Sequence, residues 1–132
     1  MTSNRTPSRP AFIVALWSAQ ILLGGFIVAM ATAKLIGLPS SVETFEAIGW
    51  GQWFRYLTGL VELAGGIGMV IPRLAAAAAA GLVGVMVGAT VTNLMIDRPA
   101  MAVLTAALAV SYAVIARLRW AGITALIGSV RR

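Results

Sequence analysis

The feature that most restricts this chain is the length of its apolar runs. Residues 11–36 read AFIVALWSAQILLGGFIVAMATAKLI, and further apolar stretches cover 53–71, 74–96 and 99–116. A helix rises about 1.5 Å per residue and a bilayer's hydrocarbon core is about 30 Å thick, so each stretch has roughly the length of a membrane span. Hydrophobic residues make up 60% of the 132 and charged residues 11%, a balance too apolar for a water-soluble domain of this size. The expected fold is all-α, a four-helix transmembrane bundle over 11–120. A disordered basic tail over 1–10 precedes it, and a basic tail or interfacial helix over 121–132 follows, with extension of the last helix as the other course open to that segment. A cleaved signal peptide ending at Ala29-Met30-Ala31 is disfavoured, because the first run is longer than a signal core and three more spans follow it.

The polar punctuation gives the turns and the orientation. Pro39 and the carboxylates Glu43 and Glu46 mark the connection between the first two spans as extramembrane, with a short surface helix opening at Ser40 or Ser41. Trp50, Trp53 and Tyr56 form an interface belt, Pro72-Arg73 ends the second span, and Asp97-Arg98-Pro99 makes a tight turn after the third. Arg5, Arg9, Arg73, Arg117, Arg119, Arg131 and Arg132 fall on one side with no acid among them. Lys34, Arg55 and Arg98 share the other side with Glu43, Glu46 and Asp97. Positive-inside asymmetry then places both termini in the cytoplasm.

Composition excludes much chemistry. With no cysteine and no histidine, the chain has no disulfide, no thiol redox centre, no imidazole base and none of the usual ligands for zinc or haem. No metal is expected and no catalytic residue stands out. The net charge of +6 does not indicate nucleic acid, since almost no polar face exists to carry a basic patch. The basic residues cluster instead at span ends, where they set topology and meet anionic lipid.

Glu62 is the residue that needs explaining, because it interrupts an apolar run about 13 Å below the outer end of the second span, near the midplane. An acid at that depth costs about 2.5–3.5 kcal/mol on insertion scales, so it is expected to face the bundle interior and to take the protonated form readily. Gln20 reaches a similar depth on the first span, which suggests an amide partner for the carboxyl. Closer to the outer surface lie Lys34, Arg55, Thr90, Thr92 and Asn93. Arg55 and Glu62 are seven residues apart, hence on one helix face about 10 Å apart, with Gly59 between them exposing backbone to a ligand or water. Together these residues describe a polar cleft open to the outside and narrowing toward Glu62. The plainer reading is a buried hydrogen bond that fixes helix register, with Lys34 and Arg55 snorkelling to headgroups. Small residues are abundant, and Gly59, Gly65, Gly84 and Gly88 are the candidates for close helix packing. Gly84 and Gly88 form GxxxG, which leaves a homo-oligomer open but most often packs inside a compact bundle.

The first-span pattern GGxxxAxAKLxG (24–37), the stretch WFRYLTGLVELAGGIGMVIPRLA (53–75) and the third-span ending TVTNL (90–94) resemble the DoxX-like family of small bacterial four-helix membrane proteins. The resemblance covers about 20–96, and its recurring polar positions fall on Lys34, Arg55, Glu62 and Asn93. It implies a place in the bacterial inner membrane and a link to quinone-dependent redox chemistry, as an accessory subunit of an oxidoreductase partner rather than an enzyme. In that picture a quinone takes hydrogen bonds from Lys34, Arg55 or Asn93, and lies against Phe54, Leu57, Met69 or Met95. Two rivals use the same residues. One is a proton-coupled small transporter built on Glu62. The other is a membrane assembly factor that binds no ligand and meets partner helices through its Gly/Ala faces.

Overall fold

The computed structural model describes residues 9–130, with side chains described through Ala121. Arg5 and most of the expected N-terminal tail, with Arg131 and Arg132, lie outside the described residues. Arg9 and Pro10, which the sequence put in that tail, already belong to the first helix.

Five helices account for the architecture: α1 (Arg9–Leu35), α2 (Pro39–Ile48), α3 (Trp53–Met69), α4 (Ala75–Met95) and α5 (Pro99–Val130). The protein is all-α among the described residues. Three helices are long and apolar enough to cross a membrane: α1, α4 and the Pro99–Ala121 part of α5. At 17 residues, α3 is the shortest of the long helices and reaches about 25 Å, a little under the hydrocarbon thickness.

Chain neighbours pack on one another. Helix α3 lies against both α1 and α4, and α4 packs along α5. Helix α5 reaches back to α1 through the buried Tyr112, whose hydroxyl donates to the Leu23 carbonyl at 3.2 Å. Ile27, Met69, Leu82, Met86 and Tyr112 form the apolar centre. The distribution of polarity is inverted relative to a water-soluble domain. Leu22, Leu60, Val87, Val103 and Val110 are exposed on the outside, whereas Gln20, Arg55, Glu62, Asn93 and Thr105 are buried. An apolar coat of that extent fits a lipid surround.

The connections follow from local chemistry. Helix α2 starts earlier than capping by Ser40 or Ser41 implies, because Pro39 occupies its first turn and Leu38 serves as cap without a side-chain bond. It ends at Gly49, where φ is +82° and the N–H returns to the Phe45 carbonyl at 3.2 Å. The α4–α5 turn closes through Asp97 at φ +58° and the Arg98 N–H on the Asn93 carbonyl at 2.8 Å. Arg98 also donates to Thr44 Oγ1, tying this turn to α2. Past Arg119, α5 continues as one helix to Val130.

Glycine sets how closely α1 and α3 approach. A Cβ at Gly66 falls 2.7 Å from both Ile27 Cγ2 and Val28 Cγ2 and 3.0 Å from the Gly24 carbonyl oxygen. A Cβ at Gly65 meets Leu82 at 2.7 Å, so Gly65 serves the α3–α4 contact. Gly84 and Gly88, in contrast, are exposed and have nothing within 4 Å. The internal packing expected of that GxxxG does not occur; the motif faces outward, because α4 turns its Ala79, Leu82 and Met86 face to the core. Gly66→Ala is therefore expected to destabilise the protein by about 1–3 kcal/mol through overpacking. Gly84→Ala should be neutral or mildly stabilising, by up to about 1 kcal/mol from helix propensity. Thermal unfolding of the two variants in detergent checks the contrast.

Candidate functional site

Arg55, Gly59, Glu62, Gly66 and Met69 occupy one face of α3, and all five are buried against the neighbouring helices. Their spacing is that of a helical stripe, so a single register choice turns the carboxylate and the guanidinium inward together.

Glu62 is 1% exposed. Its partner is Lys34, at the last turn of α1, whose Nζ donates to Oε2 at 2.7 Å and to Oε1 at 3.0 Å. Gln20, the expected amide partner, does not bond Glu62. The Gln20 Nε2 donates to the Met69 carbonyl at 2.7 Å, two turns further along α3, and its Oε1 accepts from Arg119 Nε at 2.6 Å. Depth counted along each helix axis put Gln20 level with Glu62 but left out the reach of the lysine side chain, which covers the distance from the end of α1. Lys34 does not snorkel to headgroups as the plainer reading expects; it makes an inward ion pair in which its side chain remains 14% exposed.

Arg55 is 5% exposed and is held by neutral oxygens. Its Nε donates to Gln52 Oε1 at 2.7 Å, Nη1 donates to the Lys34 carbonyl, and the guanidinium lies 4.3 Å from the Tyr56 ring centroid. The Lys34 carbonyl belongs to the C-terminal turn of α1, where a cation is favoured by the helix dipole. Gly37 allows this approach: its φ is +73°, and a Cβ there would lie 3.2 Å from Arg55 Nη1. Lys34 thus engages α3 twice, by its ammonium on Glu62 and by its backbone oxygen on Arg55.

Other expected members do not join this network. Asn93 is buried on α4 but makes no side-chain hydrogen bond to Lys34, Arg55 or Glu62. Thr90 Oγ1 pairs with Thr105 Oγ1 at 2.8 Å, joining α4 to α5, and Thr92 turns back on the Gly88 carbonyl at 2.8 Å. Gly59 does not expose its backbone, because a Cβ there would fall 3.0 Å from Leu35 Cγ and 3.3 Å from Lys34 Cβ. Its role is to seat the end of α1. Two surface grooves lie elsewhere, one of about 510 Å³ between α4 and α5 beside Ala80, Ala116 and Trp120, the other of about 340 Å³ between α3 and α4 beside Ala64 and Gly81.

Arg119 is the polar residue that sequence reasoning assigned only to topology. It bonds Gln20 and stands with its guanidinium carbon 4.5 Å from the centroid of the Trp17 ring. The signal was present in Gln20 itself: a buried amide needs an acceptor and a donor, and the unpaired carbonyls ending α3 supply only the acceptor.

A family model described as the DoxX-like family matches residues 18–128. The chain belongs to the DoxX-like family. The match takes in the fourth apolar run as well as the motifs around Lys34, Arg55 and Glu62, so the whole described bundle apart from its ends is DoxX-like. No curated protein and no solved structure matches the chain.

The ion pair gives a double-mutant test. Lys34→Met leaves a carboxylate buried without its cation, and the expected loss is about 3–5 kcal/mol of stability. Adding Glu62→Gln to Lys34→Met removes that charge and should restore most of the loss. Denaturant unfolding of the four proteins in micelles measures the coupling, and additive single effects would show that the pair contributes no interaction energy.

Proposed function

We propose that this DoxX-like protein is a non-catalytic integral membrane subunit that holds a lipophilic ligand by an electron-rich oxygen at the Arg55–Lys34–Glu62 cluster. The single observation carrying this reading is the charge balance of the cluster. Glu62 neutralises Lys34 with both its oxygens, while Arg55, equally buried, has only the amide oxygen of Gln52 and the carbonyl of Lys34. A net positive interior site favours a carbonyl or anionic oxygen as ligand. A quinone satisfies that demand with its carbonyls and an apolar tail, and a lipid headgroup satisfies it with phosphate. The quinone version agrees with an accessory role beside an oxidoreductase.

The same reading includes the topology. Helix α3 serves as the fourth span, since it packs between α1 and α4 and keeps Leu57, Leu60, Val61 and Ile67 on its exposed side. Four spans return the chain to the side on which it started, and the basic residues at that end assign it to the cytoplasm of a bacterial inner membrane. The Arg55 end of the cluster then lies toward the outer leaflet, the side on which Trp50 and Trp53 are exposed. A proton-coupled transporter is less well supported, because its carboxylate has to exchange protons while both oxygens here are engaged by Lys34.

A second reading rests on α4. Gly81, Gly84 and Gly88 are exposed with nothing within 4 Å, so α4 offers a surface of small residues on which another transmembrane helix can pack closely. That favours an assembly role in which the bundle joins a partner or a second copy.

Organic-solvent extraction of the purified protein separates the two. The ligand reading expects a lipophilic molecule bearing a carbonyl or acidic oxygen, in near-stoichiometric amount, which Arg55→Met protein retains at roughly tenfold lower occupancy. An empty extract from folded protein, or equal retention by Arg55→Met, leaves the assembly reading in place. Leucine at Gly84 should then abolish crosslinking to a defined partner.

A further inference from the structure

The opposite end of the bundle holds a half-buried cation that the Glu62 cluster does not use. On α5, Arg119 donates through Nε to Gln20 Oε1 at 2.6 Å, and its guanidinium lies over the Trp17 ring. Gln20 is fully buried and fixed in turn by its 2.7 Å bond to the Met69 carbonyl. The guanidinium is therefore oriented by two side chains, neither of them charged. Its Nη2 is buried and makes no hydrogen bond among the described residues. A charged donor in that position forfeits its hydration without replacement, a cost that structures normally remove by supplying an acceptor.

The chain's own carboxylate side chains do not supply one. There are four acidic residues in the sequence. Glu43 and Glu46 are exposed on α2, and Asp97 is exposed in the α4–α5 turn that Arg98 ties to α2. Glu62, the fourth, has both oxygens on Lys34. Arg73 and Arg117 are exposed at the same end as Arg119, which makes this end basic without compensation. Arg119 as a whole is only half-buried, so a headgroup approaching from the surface has only the cover over Nη2 to displace.

We propose that Arg119, oriented by Gln20 and Trp17, binds a phosphate group. The planar fork suits a phosphate's oxygens, with Nε committed to Gln20 and the Nη edge left for the ligand. Trp17 covers one face of the guanidinium and excludes water from it, and Trp120, exposed one residue away, has the character of an interfacial side chain. Phosphate at this position comes from an anionic phospholipid headgroup or from a soluble phosphate. The site lies two turns along α3 from Glu62 and does not depend on the ligand proposed there.

The test titrates full-length protein in neutral detergent with phosphatidylglycerol, with phosphatidylcholine and, separately, with inorganic phosphate. Bound molecules are counted by native mass spectrometry and thermal stability is followed in parallel. Saturable binding of one phosphatidylglycerol, weakened roughly tenfold or more in Arg119→Gln, is the expected result. The same removal of charge in Arg98→Gln, at the other end, should leave that binding unchanged. Binding of inorganic phosphate with the same dependence on Arg119 also supports the site and assigns the source to a soluble anion. Gln20→Glu sets a carboxylate on the guanidinium and gives up the donor to the Met69 carbonyl, so it should weaken phosphatidylglycerol binding by a similar factor with no gain in melting temperature. It carries the test if Arg119→Gln does not fold. Failure of all three probes to bind, or equal phosphatidylglycerol binding by wild type, Arg119→Gln and Gln20→Glu, overturns the proposal.

Discussion

The arrangement of α1 on α3 depends on Lys34 acting through two of its groups at once. Its ammonium neutralises Glu62 and its carbonyl receives Arg55, so a single residue fixes both the depth and the rotation of one helix on the other. Stability alone does not account for such a pair, since buried ion pairs are often no better than apolar side chains of the same volume. Register does. The α1–α3 contact is lined by Gly24, Gly59 and Gly66, with Ile27 and Val28 seated at Gly66 and Leu35 at Gly59. Apolar packing of that kind is non-directional, and a charge that is satisfied at only one offset removes the alternative registers.

A related device operates at the other end. The last carbonyls of a helix have no partner within it, and in lipid no water is at hand to replace one. At the end of α1 the Lys34 carbonyl is met by Arg55; at the end of α3 the Met69 carbonyl is met by Gln20, with Arg119 behind it. Both donors come from a neighbouring helix, so finishing one helix also docks the next. The two arrangements bracket the apolar contact of Ile27 with Gly66 and keep polar groups at its ends while the centre stays tightly packed.

Helix positions were legible in the sequence because span length and flanking prolines are local signals. The runs predicted over 11–36, 53–71, 74–96 and 99–116 differ from the observed helices by one or two residues, except where α5 continues past the last run. The inward turn of Glu62 was equally legible, since seven-residue spacing from Arg55 sets a face. Its partner was not. Choosing between Gln20 and Lys34 requires the relative height of two helices and the length of a flexible side chain, neither of which periodicity encodes. Gly84 and Gly88 illustrate the converse difficulty: GxxxG states that close packing is sterically open, but which way α4 faces is decided by Leu82 and Met86, whose burial needs the rest of the bundle.

Charge is distributed so that cations outnumber anions in the interior. Among the described residues Lys34 and Glu62 form the one salt bridge, while the buried Arg55 and half-buried Arg119 rest on amide and carbonyl oxygens. Neutral acceptors satisfy hydrogen bonds without cancelling charge, so both ends of the α1–α3 pair remain electropositive behind an apolar coat. Anything that binds the folded state with an anionic or carbonyl oxygen then stabilises it by mass action. A ligand bound at either proposed site would add its binding free energy to the contact of α1 on α3, because both sites lie on that contact.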